Sequence, residues 1–219
     1  MRDEEEEKAV LEQVFGCDSE SESESDCERE WEWESIEEVK GLWLCPNFLS
    51  TRRQSLILSA IEDEKWFPNP SINQAMRFGL QHLPSWALPL AHTIRRSAQA
   101  HQPPPLPGHI LRREPLFDQM IANVYEAGEG ICPHVDLLRF HDGIAILSLE
   151  SSCVMHFTSD ASSVPVLLTP GSLILMSGEA RYLWKHQINR TTPGFQIWKG
   201  QQLTQSKRTS ITLRKLQFQ

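Results

Sequence analysis

Residues 144–177 read IAILSLESSCVMHFTSDASSVPVLLTPGSLILMS and hold four short apolar runs separated by turn-forming residues. The runs are rich in Ile, Val and Leu, and Ser, Asp, Pro and Gly lie between them. Many short strands at this spacing are typical of a β-sandwich or barrel. Similar runs occur at Gln119–Tyr125, Arg181–Lys185 and Arg208–Leu216. We therefore predict a β-rich core over residues 116–219.

The segment that precedes this core carries helical signals instead. After a predicted strand within residues 41–49, Ser50 can cap a helix that continues to about Ile61, because several apolar residues share one face. Residues 62–115 are irregular and rich in proline, with one predicted helix near residues 84–100. The sequence thus predicts a mainly β protein with flanking helices (α+β).

Residues 1–38 differ from the rest of the chain in charge. They hold 17 acidic and 3 basic residues, a net charge of −14, whereas residues 39–219 carry +6. The run from Ser19 to Asp26 repels itself and has nothing to bury, so we predict a disordered acidic tail. Trp31 and Trp33 within it suggest a short motif for a protein partner. The mildly basic remainder is compatible with nucleic acid as a partner.

The cysteines and the apolar runs bear on the compartment. The chain has 5 cysteines, an odd number without a C-x-x-C pair, which favours free thiols in a reducing compartment. Its first residues lack the apolar run of a secretory signal, and no apolar stretch approaches the roughly 20 residues of a membrane span. We therefore expect the cytoplasm or the nucleus and no membrane contact. The pattern predicts no oligomeric state.

A candidate metal site begins at His134-Val135-Asp136. Residues i and i+2 of an extended backbone point to the same face, so this segment can present an imidazole and a carboxylate to one ion. His186 is the expected third ligand, with His141 and His156 as alternatives. Two histidines and one carboxylate leave three coordination positions open, which is typical of non-haem iron(II) oxygenases. An H-x-D pair alone is also common in proteins that bind no metal.

A second candidate site lies in the last predicted strand, Arg208-Thr209-Ser210-Ile211-Thr212-Leu213-Arg214. Its arginines fall on one face, and Ile211 and Leu213 fall on the other. In an ordinary sandwich the arginines would face water. Asn123 and Tyr125 repeat the two-residue spacing in an earlier predicted strand and carry groups suited to carboxylate oxygens. The alternative there is a buried tyrosine with a structural hydrogen bond.

In chain order the motifs are N-x-Y, a G-x-G turn, H-x-D, a distant His and R-x5-R. This set resembles the AlkB family of iron(II)- and 2-oxoglutarate-dependent dioxygenases over about residues 117–216, and more loosely back to about residue 42. Within the family, residues 118–126 and 178–186 most resemble the homologue that hydroxylates wobble uridines of tRNA.

The resemblance implies a double-stranded β-helix (jelly roll) core that uses iron(II), 2-oxoglutarate and O2. It implies His134, Asp136 and His186 as metal ligands, with no catalytic residue beyond them. It also implies a set of polar side chains that contact 2-oxoglutarate or brace its site: Asn123, Tyr125, Arg208, Ser210 and Arg214. Arg208 would grip the far carboxylate of 2-oxoglutarate through paired, charge-assisted hydrogen bonds.

The same resemblance gives residues 39–115 the role of N-terminal helices and a substrate lid. The residues predicted to contact a base are Trp66, Phe67, Arg77, Phe78 and Leu138. Leu138 stands where founding members often carry an acid, and Ser210 stands where they carry Asn. The aromatic residues can instead anchor the lid to the core. Arg95-Arg96 and Arg112-Arg113 can meet phosphates or lie on a wet surface.

The expected function is therefore hydroxylation or demethylation of modified nucleic acid, with RNA ahead of DNA and the target base turned out of its stack. One alternative is an oxygenase of the same fold that acts on a protein or a small molecule. Another is a non-catalytic binding module. Iron-dependent formation of succinate separates the last alternative from the others, and salt-sensitive RNA binding separates the first two.

Overall fold

The computed structural model describes residues 31–69, 71–191 and 194–217. The strands in these ranges are β1 (Glu34–Ser35), β2 (Leu42–Cys45), β3 (Gln74–Phe78), β4 (Gln119–Tyr125), β5 (Ile131–His134), β6 (Ile144–Leu149), β7 (Cys153–Thr158), β8 (Ser163–Leu168), β9 (Leu173–Met176), β10 (Lys185–Ile188), β11 (Phe195–Trp198), β12 (Gln201–Thr204) and β13 (Arg208–Arg214). The helices are α1 (Thr51–Asp63), α2 (Ala87–Ala100), α3 (Gly108–Leu111) and α4 (Glu179–Tyr182), with a 3-10 turn at Leu80–His82.

The strands form two main antiparallel sheets. The larger has seven strands in the order β1-β2-β9-β6-β13-β4-β3, and the smaller has four in the order β5-β10-β7-β8. β11 and β12 pair only with each other and form a hairpin. Strands from distant parts of the sequence thus lie side by side, and β13 at the C-terminal end is central in the larger sheet, between β6 and β4.

Two apolar clusters place the larger sheet between the helices and the smaller sheet. Leu147 and Ile211 face the helices and pack in one cluster with Ile57 of α1 and Ile94 of α2. Ile146, next to Leu147, faces the other way and belongs to a cluster shared with the smaller sheet. Period-two alternation therefore fills both faces of the larger sheet. The predicted class, mainly β with flanking helices, is confirmed.

Several predicted elements match the structure closely. α1 begins after Ser50, whose hydroxyl accepts a hydrogen bond from the Arg53 backbone amide at 3.4 Å. The predicted strands 119–125 and 144–149 have the observed bounds of β4 and β6. The predicted strand over residues 181–185 is wrong, because Gly178 turns the chain at a φ of 55° into the short helix α4, and the strand begins only at Lys185.

The predicted boundary of the acidic tail lies too far along the chain. Residues 31–38 belong to the fold: β1 pairs with β2, and Trp33 is only 6% exposed within the helix-side cluster. Trp31 donates its indole N–H to the Phe48 carbonyl oxygen at 3.2 Å. These tryptophans overcome the local excess of acid because they bury large apolar surfaces. The disorder predicted for residues 1–30 lies outside the described residues.

The region predicted as irregular, residues 62–115, contributes an edge strand to the larger sheet. β3 pairs with β4 over five residues, so this part of the predicted lid is continuous with the core. Its sequence, Gln74-Ala75-Met76-Arg77-Phe78, alternates in exposure, which is typical of an edge strand with one covered face. In the ranges given above, no helix has the length and apolar character needed to cross a membrane.

Candidate active site

The two predicted histidine ligands meet across neighbouring strands of the smaller sheet. His134 ends β5, and His186 lies directly opposite it in β10. Residues opposite each other in an antiparallel pair present their side chains on the same face. The ring centroids are accordingly 4.2 Å apart. Strand register, rather than proximity in sequence, brings these imidazoles together.

Asp136 completes the cluster from the loop that follows β5. Its Oδ2 lies 3.7 Å from His186 Nε2, and one ligand atom from each of His134, Asp136 and His186 falls within 4.8 Å of the others. Asp136 Oδ1 pairs with Arg214 Nη2 at 2.7 Å, whereas Oδ2 is buried without a hydrogen-bond partner among the described residues. A buried carboxylate oxygen without a partner is costly unless it binds a ligand. The predicted triad is therefore assembled, with one oxygen available to a cation.

The hydrogen bond of His134 and the lowered pKa of His186 suit metal binding. His134 Nδ1 lies 2.9 Å from the Cys132 carbonyl oxygen, so a proton on Nδ1 leaves the Nε2 lone pair for a metal. Burial, reinforced by His134, lowers the pKa of His186 to about 4, so its imidazole is neutral near pH 7. Two imidazoles and one carboxylate are a donor set that fits iron(II).

The alternative third ligands lie elsewhere. His156 pairs with Gln187 in the register that pairs Phe157 with His186, so it points to the opposite face of the sheet from the triad. His141 lies in an exposed position after an isolated bridge at Phe140. Within the described ranges, the triad is the group of metal-ligating side chains that could hold an ion.

Arg208 presents an unsatisfied guanidinium to the interior between the sheets. It is 3% exposed, and its Nε donates to Ser148 Oγ at 2.9 Å. Its Nη1 and Nη2 are buried without a hydrogen-bond partner in the described chain. The two nitrogens form the edge of the guanidinium that matches a carboxylate. A small cavity of about 10 Å³, roughly the space of one water molecule, adjoins Arg208 and Tyr125.

The other polar residues predicted near Arg208 share its face of the larger sheet. Ser210 pairs with Asn123 on β4 and with Ser148 on β6, so the three form one row across the sheet. Asn123 Oδ1 accepts from Gln74 Nε2 at 2.8 Å. Burial raises the pKa of Tyr125, which keeps its phenol a hydrogen-bond donor at neutral pH.

Sequence reasoning missed Ser148 and Gln74. Ser148 is the polar exception in the apolar run 144–149, and that exception was an available signal. Gln74 had no such signal, because its strand was not predicted.

The residues predicted to contact a base divide into buried and exposed groups. Trp66 is 2% exposed, donates its indole N–H to Glu64 at 2.7 Å and carries Arg77 over its ring at 4.6 Å, so it anchors the fold and the base-contact role is corrected. Phe67 is partly buried against the helix-side cluster. Phe78 is 37% and Leu138 72% exposed.

Each of the two arginine pairs holds one braced residue and one exposed residue. Arg95 bonds to Glu114 and to the Arg113 carbonyl oxygen, both at 2.6 Å. Arg113 donates to the carbonyl oxygens of Asp142 and Leu116. These contacts brace α2 against the chain that leads into β4. Arg112 is exposed, and Arg96 lies over the Trp31 ring at 5.3 Å.

Comparison with known proteins agrees with this geometry. The sequence profile of the 2OG-Fe(II) oxygenase superfamily matches residues 71–214. A Xenopus tropicalis protein named tRNA (carboxymethyluridine(34)-5-O)-methyltransferase alkbh8 is 43% identical over 123 residues, which are 49% of this chain and 19% of that protein. An Arabidopsis thaliana protein named Alkylated DNA repair protein ALKBH8 homolog is 29% identical over 213 residues, which cover 81% of this chain and 59% of that protein.

A solved structure shows the same fold. The structure of OsALKBH1 superposes with a TM-score of 0.56 at 15% identity, covering 80% of this chain and 96% of that one. The predicted jelly-roll core is thereby confirmed. This chain spans about one fifth of the Xenopus relative and about three fifths of the Arabidopsis relative. It belongs to the 2OG-Fe(II) oxygenase superfamily, whose members use iron(II), 2-oxoglutarate and O2, and it is an AlkB-type dioxygenase related to ALKBH8.

Proposed function

We propose that this chain oxidises modified nucleic acid, RNA in preference to DNA, by hydroxylation that becomes demethylation when the target carbon is an N-methyl group. The names of two relatives support a nucleic-acid substrate, since one refers to tRNA and the other to alkylated DNA. The greater identity to the tRNA-related protein over the matched segment favours RNA.

The observation that carries the oxygenase assignment is the pair of unpartnered Arg208 nitrogens, which lie on the larger sheet and face the space between the two sheets. We assign this guanidinium to the far carboxylate of 2-oxoglutarate. Tyr125 supports the assignment, because its ring lies 5.5 Å from the Arg208 Cζ atom beside the same cavity. Asn123 and Ser210 brace this site from the neighbouring row. Arg214 acts mainly through the metal ligand, because it holds Asp136 Oδ1.

Different residues of the chain have different roles in the proposed reaction. His134, Asp136 and His186 hold iron(II), which supplies the oxidising chemistry together with 2-oxoglutarate and O2 when these are bound. Arg208 orients the co-substrate, and the apolar residues between the sheets exclude water around it. We assign no side chain as a general acid or base, since the ligand set leaves the proton and electron transfers to the metal and co-substrate.

The substrate would approach over the edge formed by β3 and the loop after Asp136. The guanidinium of Arg139 lies 5.6 Å from the Phe78 ring, and Leu138 beside it projects into solvent. A flipped base stacks on such exposed aromatic and guanidinium groups. We therefore assign Phe78 and Leu138 as base contacts and β3 as part of the lid. We assign no base contact to Trp66. Phe67 and Arg77 contact the fold rather than the edge.

Nucleoside mass spectrometry tests the substrate. Total RNA and total DNA are incubated with iron-loaded protein and 2-oxoglutarate, and succinate is measured in parallel. We expect succinate formation that requires iron, together with a hydroxylated or demethylated nucleoside in the RNA sample. Succinate formation without any change in either nucleic acid would overturn the substrate and leave the enzyme class intact.

A protein or small-molecule substrate is the second candidate, and the exposed aliphatic residues near the triad favour it. Leu137 is 60% and Leu183 67% exposed, and apolar groups of this kind suit an uncharged partner surface. Salt dependence separates the candidates, because binding of RNA through phosphates weakens steeply with salt. We also propose that the acidic N-terminal residues bind a protein partner and that the protein is located in the cytoplasm or the nucleus.

A further inference from the structure

A buried arginine ties together the two segments that carry the metal ligands. Arg181 lies in α4, five residues before His186, and is 1% exposed. It contributes no ligand atom to the triad. A fully buried guanidinium is costly to desolvate, so its presence requires compensating bonds.

Those bonds all lead to the loop that starts at Asp136. Arg181 Nη1 donates to the Asp136 carbonyl oxygen at 2.9 Å. Its Nη2 donates to the carbonyl oxygens of Leu137 at 2.8 Å and Phe140 at 3.1 Å. Three acceptors within five consecutive residues converge on one planar group, so the guanidinium sets the path of this loop.

The loop needs this restraint because the sheet does not supply it. β5 ends at His134, and residues 135–139 belong to no described strand. The register with β10 fixes His134 against His186, but Asp136 lies beyond the last pair. Arg214 holds the Asp136 carboxylate, whereas Arg181 holds its backbone. The position of Asp136 relative to His186 therefore depends on both arginines.

We propose that Arg181 is a positioning residue for metal binding: it locks the Asp136 backbone to the segment that carries His186. Partners that orient metal ligands typically contribute about 10- to 100-fold to metal affinity. Arg181 also contacts both Leu137, through its carbonyl oxygen, and Tyr182, whose ring lies 4.7 Å from the Arg181 Cζ atom. Arg181 thus also fixes the edge where a substrate would approach. The inference rests on the enzyme class and not on the identity of the substrate.

Cobalt(II) titration of three variants tests the inference without turnover. R181M removes the three hydrogen bonds, and R181K keeps the charge but loses the planar fork. R113M is the matched control, because Arg113 also donates to two carbonyl oxygens but braces a segment outside the triad. Circular dichroism is used to choose a temperature at which each variant is folded. The visible spectrum of the bound cobalt(II) reports the geometry of its ligands.

We expect R181M to bind cobalt(II) about 10-fold or more weakly, with an altered visible spectrum, and R181K to fall between it and the unchanged protein. R113M should lose thermal stability while its cobalt affinity and spectrum stay unchanged. Equal cobalt affinity in folded R181K and the unchanged protein would overturn the inference even if R181M did not fold. So would an equal loss in R113M. Failure to oxidise any nucleic acid would leave these results standing.

Discussion

Asp136 is the residue on which the metal site depends most directly, because its two carboxylate oxygens have different neighbours. Oδ1 is held by Arg214, and Oδ2 faces His186 without a hydrogen-bond donor in the described chain. We predict that Asp136→Ala abolishes iron-dependent succinate formation, with a loss larger than the roughly 10- to 100-fold effect of removing an outer partner. Asp160→Ala, at an exposed position, is the control. Unchanged succinate release from folded Asp136→Ala would remove the triad assignment.

Substitution of Arg208 tests its assignment to the far carboxylate of 2-oxoglutarate. A hydrogen bond to a charged group contributes about 1.5–3 kcal/mol, and about 1.4 kcal/mol corresponds to a factor of ten. We predict that Arg208→Ala raises the KM for 2-oxoglutarate about 10- to 100-fold, with a smaller change for Arg208→Lys. Lys207→Ala serves as the control, because Lys207 is exposed and pairs with Glu150 at 3.5 Å. An unaltered KM would place the carboxylate site elsewhere.

Residue types and spacing were enough to predict the ligands but not the groups that orient them. His134 and Asp136 could be paired from the two-residue spacing, and strand register confirms His186 as the third ligand rather than His141 or His156. Arg181 could not be recognised, because its three partners are backbone carbonyls, which leave no trace in side-chain patterns. For Trp66 the sequence left base contact and anchoring of the lid as alternatives, because an aromatic residue in an irregular segment gives no indication of burial, and its 2% exposure favours anchoring.

The same contrast applies to whole elements. Long runs with clear alternation, such as β4 and β13, were predicted because both faces carry a consistent pattern. β3 was missed because an edge strand needs only one neighbour and its apolar residues, Ala75, Met76 and Phe78, do not alternate with polar ones. α4 was mistaken for a strand because four residues are too short for a helical period. In the hairpin, β12 has one apolar residue in four, whereas β11 was missed although three of its four residues are apolar.

The side chain of Gln196 attaches that hairpin to β7, because it makes the two backbone hydrogen bonds that a neighbouring strand would make. Gln196 Oε1 accepts from the Val154 amide at 2.7 Å, and its Nε2 donates to the Val154 carbonyl oxygen at 3.1 Å. Both backbone groups are buried, and leaving one unpaired costs about 1–3 kcal/mol. We predict that Gln196→Met lowers the free energy of unfolding by about that amount and speeds hydrogen exchange at the Val154 amide.

The matched control lies on the other strand of the hairpin. Gln202 is exposed, and Gln202→Met should leave the Val154 amide as protected as in the unchanged protein. Equal exchange rates at Val154 in the Gln196 and Gln202 variants would contradict the anchoring role. Because Gln205 and Ser206, which follow the hairpin, line the cavity beside Arg208, a loosened hairpin should also weaken 2-oxoglutarate binding.

In the whole molecule, the boundary between the acidic tail and the fold lies near Trp31 rather than at residue 38. Trp31 and Trp33 pack with Phe48 in the helix-side cluster, so removal of residues 31–38 would expose the core edge and unpair β1 from β2. Truncation of a buried tryptophan to alanine costs about 3–5 kcal/mol. We predict that deleting residues 1–30 leaves the free energy of unfolding and succinate formation unchanged, whereas Trp33→Ala loses about 3 kcal/mol of stability.

Urea denaturation of the two deletions, 1–30 and 1–38, measures where the fold begins. The longer deletion should shift the midpoint to lower urea by an amount at least as large as Trp33→Ala. Trp198→Ala, at a half-buried site at the end of β11, should shift it much less. If both deletions unfold at the same urea concentration, the packing of the two N-terminal tryptophans does not stabilise the fold, and residue 38 is the boundary after all.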